Sequence, residues 1–86
     1  MRRDKLQIIL DILDICMEGA NKTKIVYQAN LNFKMVNLYL DILTNDGLVA
    51  MDSGQSKLYT TTEKGKELLA DVKQIYNKLG QYAPDD

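Results

Sequence analysis

The chain has 86 residues, 45% of them apolar and 27% charged, which gives it room for one core and the make-up of an ordinary folded domain. Its formal net charge of -1 excludes coating of nucleic acid by bulk charge, so any recognition of an anion has to come from a local cluster. With no histidine and one cysteine, it lacks the groups for histidine-activated nucleophiles and for Cys/His zinc sites, and no enzyme activity, metal, cofactor or small-molecule ligand is expected.

Asp4, Gln7, Asp11, Asp14 and Glu18 fall on one narrow stripe of a helix, and most of what lies between them is apolar. Leu6, Ile9, Leu13, Cys16 and Ala20 form one face of this first helix, and Ile8, Ile12 and Ile15 form a second beside it. An apolar arc that wide has to be covered on two sides. Cys16, among Leu13, Met17 and Ala20, reads as a small buried hydrophobe. No apolar run approaches the ~18 residues that cross a bilayer, and the basic start, Met1 to Lys5, leads into a segment interrupted by Asp11 and Asp14, unlike a signal-peptide core. A cytoplasmic protein is expected.

Gly19 stops the first helix, and Asn21-Lys22-Thr23 opens a second, short one to about Asn30, with Ile25, Val26 and Ala29 inward. Asn32 is a good N-cap for a third helix, Phe33 to about Asn45, whose core face is Val36, Tyr39, Leu40 and Leu43 and which Asp46-Gly47 terminates. The period then changes to two: Leu48 to Asp52 and Leu58 to Thr61 flank a polar tip at 53–57, forming a β-hairpin in which Leu58 and Tyr59 are expected to pack. Thr62 caps a last helix carrying Leu68, Leu69, Val72, Ile75, Tyr76 and Leu79 at helical spacing, and Gly80 is expected to end it.

The fold expected is therefore mainly α with a small β-hairpin, in the order helix, helix, helix, hairpin, helix, which is that of a winged helix-turn-helix. In such a unit the third helix can lie in a major groove with the hairpin as the wing beside it. No acid occurs between Gly19 and Leu40, where Lys22, Lys24 and Lys34 stand, and Lys57 follows the wing tip. The candidate DNA contacts are Lys22, Lys24, Lys34 and Lys57 for phosphates, Asn32 and Asn37 for base edges, and Met35 and Leu38 for thymine methyls. The same order also builds protein-interaction modules, and the apolar stripe of Met35, Leu38 and Ile42 keeps that alternative open.

Asn21-Lys22-Thr23-Lys24-Ile25, Tyr39-Leu40-Asp41-Ile42-Leu43, Asp46-Gly47-Leu48-Val49 and Thr62-Glu63-Lys64-Gly65, in this order and spacing, resemble the archaeal winged-helix DNA-binding regulators, including the small dimeric archaeal chromatin proteins. The resemblance covers nearly the whole chain. It implies double-stranded DNA as partner, and a homodimer formed through the C-terminal helix as an antiparallel coiled coil. On that reading residues 1–80 form the winged-helix domain, helix 63–79 dimerises and 81–86 is a flexible tail. Leu68, Leu69, Val72, Ile75, Tyr76 and Leu79, with Ile8, Ile12 and Ile15 of the first helix, would make the dimer contact. A last helix about 25 Å long is shorter than the coiled coil of those chromatin proteins, and the chain is less basic than they are. The shorter helix bears on the dimer geometry and on bridging of DNA, and the lower basicity favours a specific transcriptional regulator over an architectural protein.

Overall fold

The computed structural model describes residues 3–54 and 57–82, so Met1, Arg2, the centre of the wing tip and positions 83–86 of the expected tail lie outside the described residues. Three helices come first: α1 (Lys5–Ile15), α2 (Lys22–Ala29) and α3 (Phe33–Asn45). Strands β1 (Val49–Asp52) and β2 (Leu58–Thr61) form the hairpin, and α4 (Glu63–Tyr82) follows. Each of the first three helices starts where a short polar side chain takes an orphan amide. Asp4, Asn21 and Asn32 accept from the backbone N–H of Gln7, Lys24 and Met35, each at 2.8 Å. Between α2 and α3 the chain turns on Asn30 in the left-handed region, φ 56°, a conformation that Asn tolerates better than most residues.

The hairpin pairs antiparallel, with Val49 opposite Thr61 and Met51 opposite Tyr59. A third edge joins it. Ala20 and Tyr59 exchange both backbone hydrogen bonds, at 2.9 and 2.8 Å, tying the residue after the first helix to β2. Thr61 is buried in the same layer and its hydroxyl donates to the Leu13 carbonyl at 2.6 Å, which satisfies a polar group that would otherwise cost stability. Around these ties Ile12, Leu13, Ile25, Val36, Leu40, Leu43 and Val49 fill one core. The expected core face of α3 is buried residue for residue.

The structure departs from expectation at four points. The α-helix of α1 ends at Ile15, and Cys16–Glu18 tighten into a 3₁₀ turn before Gly19. Leu10, absent from the expected faces, is buried, while Leu6 is exposed. Ile12 and Leu69, expected at a dimer contact, are core residues of the protomer, and Ile8 and Ile15 are half-buried against that same core. The second face of the first helix is thus covered largely by its own chain. Finally, α4 runs through Gly80 to Tyr82, because Gly80 lacks the positive φ that lets a glycine close a helix. Every residue from Lys73 to Gly80 is exposed, so this half of α4 projects from the body. No helix among the described residues is long and apolar enough to cross a membrane.

Cys16 is fully buried, as expected, and burial pushes its thiol up from the ordinary 9.0 to about 11, with Lys24 pulling weakly the other way. The folded state keeps the proton to higher pH than the unfolded chain. This contribution to stability is therefore complete below pH 9 and is lost as pH rises through 11. Iodoacetamide at pH 8 is expected to leave Cys16 unmodified in the folded protein and to alkylate it in urea. Equal rates in both would contradict a buried, protonated thiol.

Candidate nucleic-acid interface

Helix α2 stands on Ile25 and Ala29, which are buried against the core, with Val26 half-buried beside them, and this turns Lys22 and Lys24 outward at its first turn. After the Asn30 turn, α3 buries Val36, Tyr39, Leu40 and Leu43 and leaves the opposite face open. That face carries Phe33, Lys34, Asn37, Leu38, Asp41, Ile42 and Asn45. Lys34, Asn37 and Leu38, three of the expected contact residues, therefore stand together on one exposed helix surface.

Lys57 is exposed at the start of β2 and adopts a positive φ of 45°. With Lys22, Asn21, Met51 and Tyr59 it lines a cleft between the wing and the start of α2. Residues 35 positions apart are brought to one place by the Ala20–Tyr59 bridge, which clamps the root of the wing beside α2. A second cleft, lined by Asp41, Thr44, Met51 and Tyr59 among others, separates α3 from the hairpin. Tyr59 itself is buried, in agreement with its expected packing role.

Two expected contacts look different in the structure. Met35 is half-buried because it lies one turn before the buried Tyr39, so it packs against the core at the flank of the open face. Asn32 is exposed, but its Oδ1 is committed to the Met35 amide as the cap of α3, leaving its side-chain N–H₂ to meet a ligand. Phe33, 51% exposed, and Tyr27, 78% exposed, were not singled out from the sequence. Phe33 could have been, since it lies one turn before Asn37 on the same face. For Tyr27 no sequence signal existed.

Among the described residues, none of Lys22, Lys24, Lys34 and Lys57 has a carboxylate within ion-pairing distance. The described ion pairs lie elsewhere. Lys73 reaches Asp14 at 3.6 Å, Lys66 reaches Glu63 at 3.5 Å, and Arg3 reaches Asp11 at 2.7 Å. Arg3 also donates to the Ala29 carbonyl at the C-terminal end of α2, where a cation is favoured by the helix dipole. This part of the basic start therefore ties α1 to α2.

The winged helix-turn-helix family profile matches residues 2–80, nearly the whole chain. The chain belongs to the winged helix-turn-helix family. Its relatives include two proteins of Methanocaldococcus jannaschii. One, the uncharacterized protein MJ0290, is 34% identical over 80 residues, spanning 92% of this chain and 36% of its own length. The other, the uncharacterized protein MJ0287, is 32% identical over 76 residues, spanning 87% of this chain and 75% of its own. This winged helix-turn-helix thus covers only about a third of MJ0290. Among solved structures, Sso10a-2, a DNA-binding protein from Sulfolobus solfataricus, superposes with a TM-score of 0.69 at 25% identity, covering 98% of this chain and all of that one.

Proposed function

We propose that this chain is a DNA-binding transcriptional regulator that works in the cytoplasm as a homodimer, with α3 in the major groove and wing 53–57 on the backbone. The observation that carries the reading is the set of four exposed lysines, Lys22 and Lys24 on the first turn of α2, Lys34 on the open face of α3 and Lys57 at the wing, none of which has a carboxylate partner among the described residues. Lys22, Lys24, Lys34 and Lys57 neutralise phosphates, Asn37 and the free amide of Asn32 meet base edges, and Leu38 meets a thymine methyl, with Met35 at the flank. Likeness to a DNA-binding protein over its full length supports the assignment. A net charge of -1 favours a site-specific regulator over a protein that wraps DNA generally.

Dimerisation rests on α4. On the projecting half of α4, Ile75, Tyr76 and Leu79 continue the line of Leu68 and Val72, which pack partly against the protomer's own core, and Ile75 and Leu79 are more than half exposed. Apolar side chains in a row on a projecting helix match a two-helix seam. A two-fold axis would place two reading helices on one duplex.

A second reading is favoured by one observation: Phe33, Leu38 and Ile42 are all exposed on α3, at 51%, 54% and 45%. An interface dominated by them would suit a protein partner. Fluorescence anisotropy with a labelled random duplex, run beside sedimentation velocity, separates the two. Saturable binding by a dimer at low salt is expected; a monomer that leaves the duplex free at low salt would sink the regulator reading in favour of the protein partner.

A further inference from the structure

Helix α3 turns Lys34, Asn37, Leu38, Asp41 and Asn45 to its open side, and all of them are exposed. Asp41 is the odd member of that row. It is the only acid between Gly19 and Asn45, and it stands on the surface that the reading above sets against DNA. Nothing among the described residues rewards a carboxylate there. Its neighbours three and four residues away along the helix are Asn37, Leu38, Thr44 and Asn45, none of them a cation. It has no ion-pair partner among the described residues. An acid in the second half of a helix opposes the helix dipole, and Asp is a poor helix former.

We infer that Asp41 is a specificity-determining residue that reads cytosine in the major groove, its carboxylate accepting a hydrogen bond from the N4 amino group. The inference rests on the DNA-binding reading above and adds to it a residue and the base it selects. A carboxylate that enters a groove flanked by phosphates is repelled from both sides, so only a donor on a base edge holds it there. In the major groove guanine offers two acceptors, thymine offers one acceptor beside a methyl group, and adenine offers its amino group next to the N7 acceptor. Cytosine offers a donor and no acceptor. An ionised carboxylate only accepts, so it fits cytosine and is turned away by the other bases. Asn37 stands one helical turn before Asp41, about 6 Å along the axis at 1.5 Å per residue. That is close to two base steps of about 3.4 Å. The expected half-site therefore carries an adenine for Asn37 and a cytosine about two steps away.

Selection from a randomised duplex pool tests this, with the wild-type chain, Asp41→Ala and Asp41→Asn run in parallel. The wild type is expected to favour cytosine at one position of the half-site by about tenfold. Asp41→Ala is expected to lose that preference and to bind random duplex about threefold more tightly, because a repulsion is gone. Asp41→Asn is expected to move the preference at the same position from cytosine to adenine, since an amide pairs with N6 and N7 together. Asp41 is exposed, so circular dichroism melts of both variants are expected to match the wild type. A cytosine preference that both variants keep, or a wild type that binds duplex without favouring cytosine, would overturn the role of Asp41 and leave DNA binding standing. A wild type that recovers no duplex from the pool at low salt would overturn the DNA-binding reading and this inference together.

Discussion

Gly65→Ala is expected to destabilise the fold by about 3 kcal/mol, although alanine is the better helix former by about 1 kcal/mol on an open helix surface. A Cβ at position 65 would lie 2.2 Å from the Leu48 carbonyl oxygen and 2.7 Å from Thr61 Cγ2. The carbonyl cannot retreat cheaply, because it accepts the Thr62 amide at 3.0 Å. Thr62 in turn donates its hydroxyl to the Gly47 carbonyl at 2.6 Å and accepts the Gly65 amide at 3.1 Å. The start of α4 is thus stitched to Gly47 and Leu48, the link between α3 and β1, and relieving the clash means breaking that stitching. In a domain of this size the loss corresponds to a fall of about 15 °C in Tm by circular dichroism. Gly80→Ala is the control: among the described residues, nothing outside the local helix backbone lies within 4 Å of its Cβ, and it is expected to stabilise the protein by up to about 1 kcal/mol. A neutral result at position 65 would show that α4 and Leu48 do not approach as closely as described.

The second large effect is on binding. Lys24→Glu combined with Lys34→Glu is expected to reduce affinity for duplex DNA by at least ~10³-fold at ~0.1 M salt, since four phosphate contacts per dimer are lost and each contributes roughly tenfold there. Both side chains are exposed and have no ion-pair partner among the described residues, so the variant is expected to keep its fold. An unchanged circular dichroism melt beside lost DNA binding would assign the effect to the surface. Retained DNA binding would move the interface away from α2 and α3. If the chain binds a protein through Phe33, Leu38 and Ile42, that interaction is expected to survive the charge reversal.

Much of this arrangement was legible in the residues. The bounds of α3 followed from Asn32 as a cap, the spacing of Val36, Tyr39, Leu40 and Leu43, and the Asp46-Gly47 stop, because all three signals act within a few residues of one another. The hairpin followed in the same way from its change of period. What was not legible depends on contacts distant in sequence. The bridge from Ala20 to Tyr59 is a single residue pair with no local pattern, and the link from Arg3 to Asp11 and Ala29 is visible only once α1 and α2 pack. A wide apolar arc shows that Ile8, Ile12 and Ile15 must be covered but not by what, and the cover is the protomer's own core. At the interface, position within the chain placed Lys34, Asn37 and Leu38 on one face. The meeting of Lys22 with Lys57 required the wing to be clamped in place.

The central claim is that this protein holds DNA through a local cluster of lysines in spite of a net charge of -1. The most direct test is the salt dependence of its affinity for duplex DNA. If the four lysines of each protomer neutralise about eight phosphates per dimer, log K falls against log salt with a slope of about -7. A slope near zero, or no binding at the lowest salt, would contradict the claim.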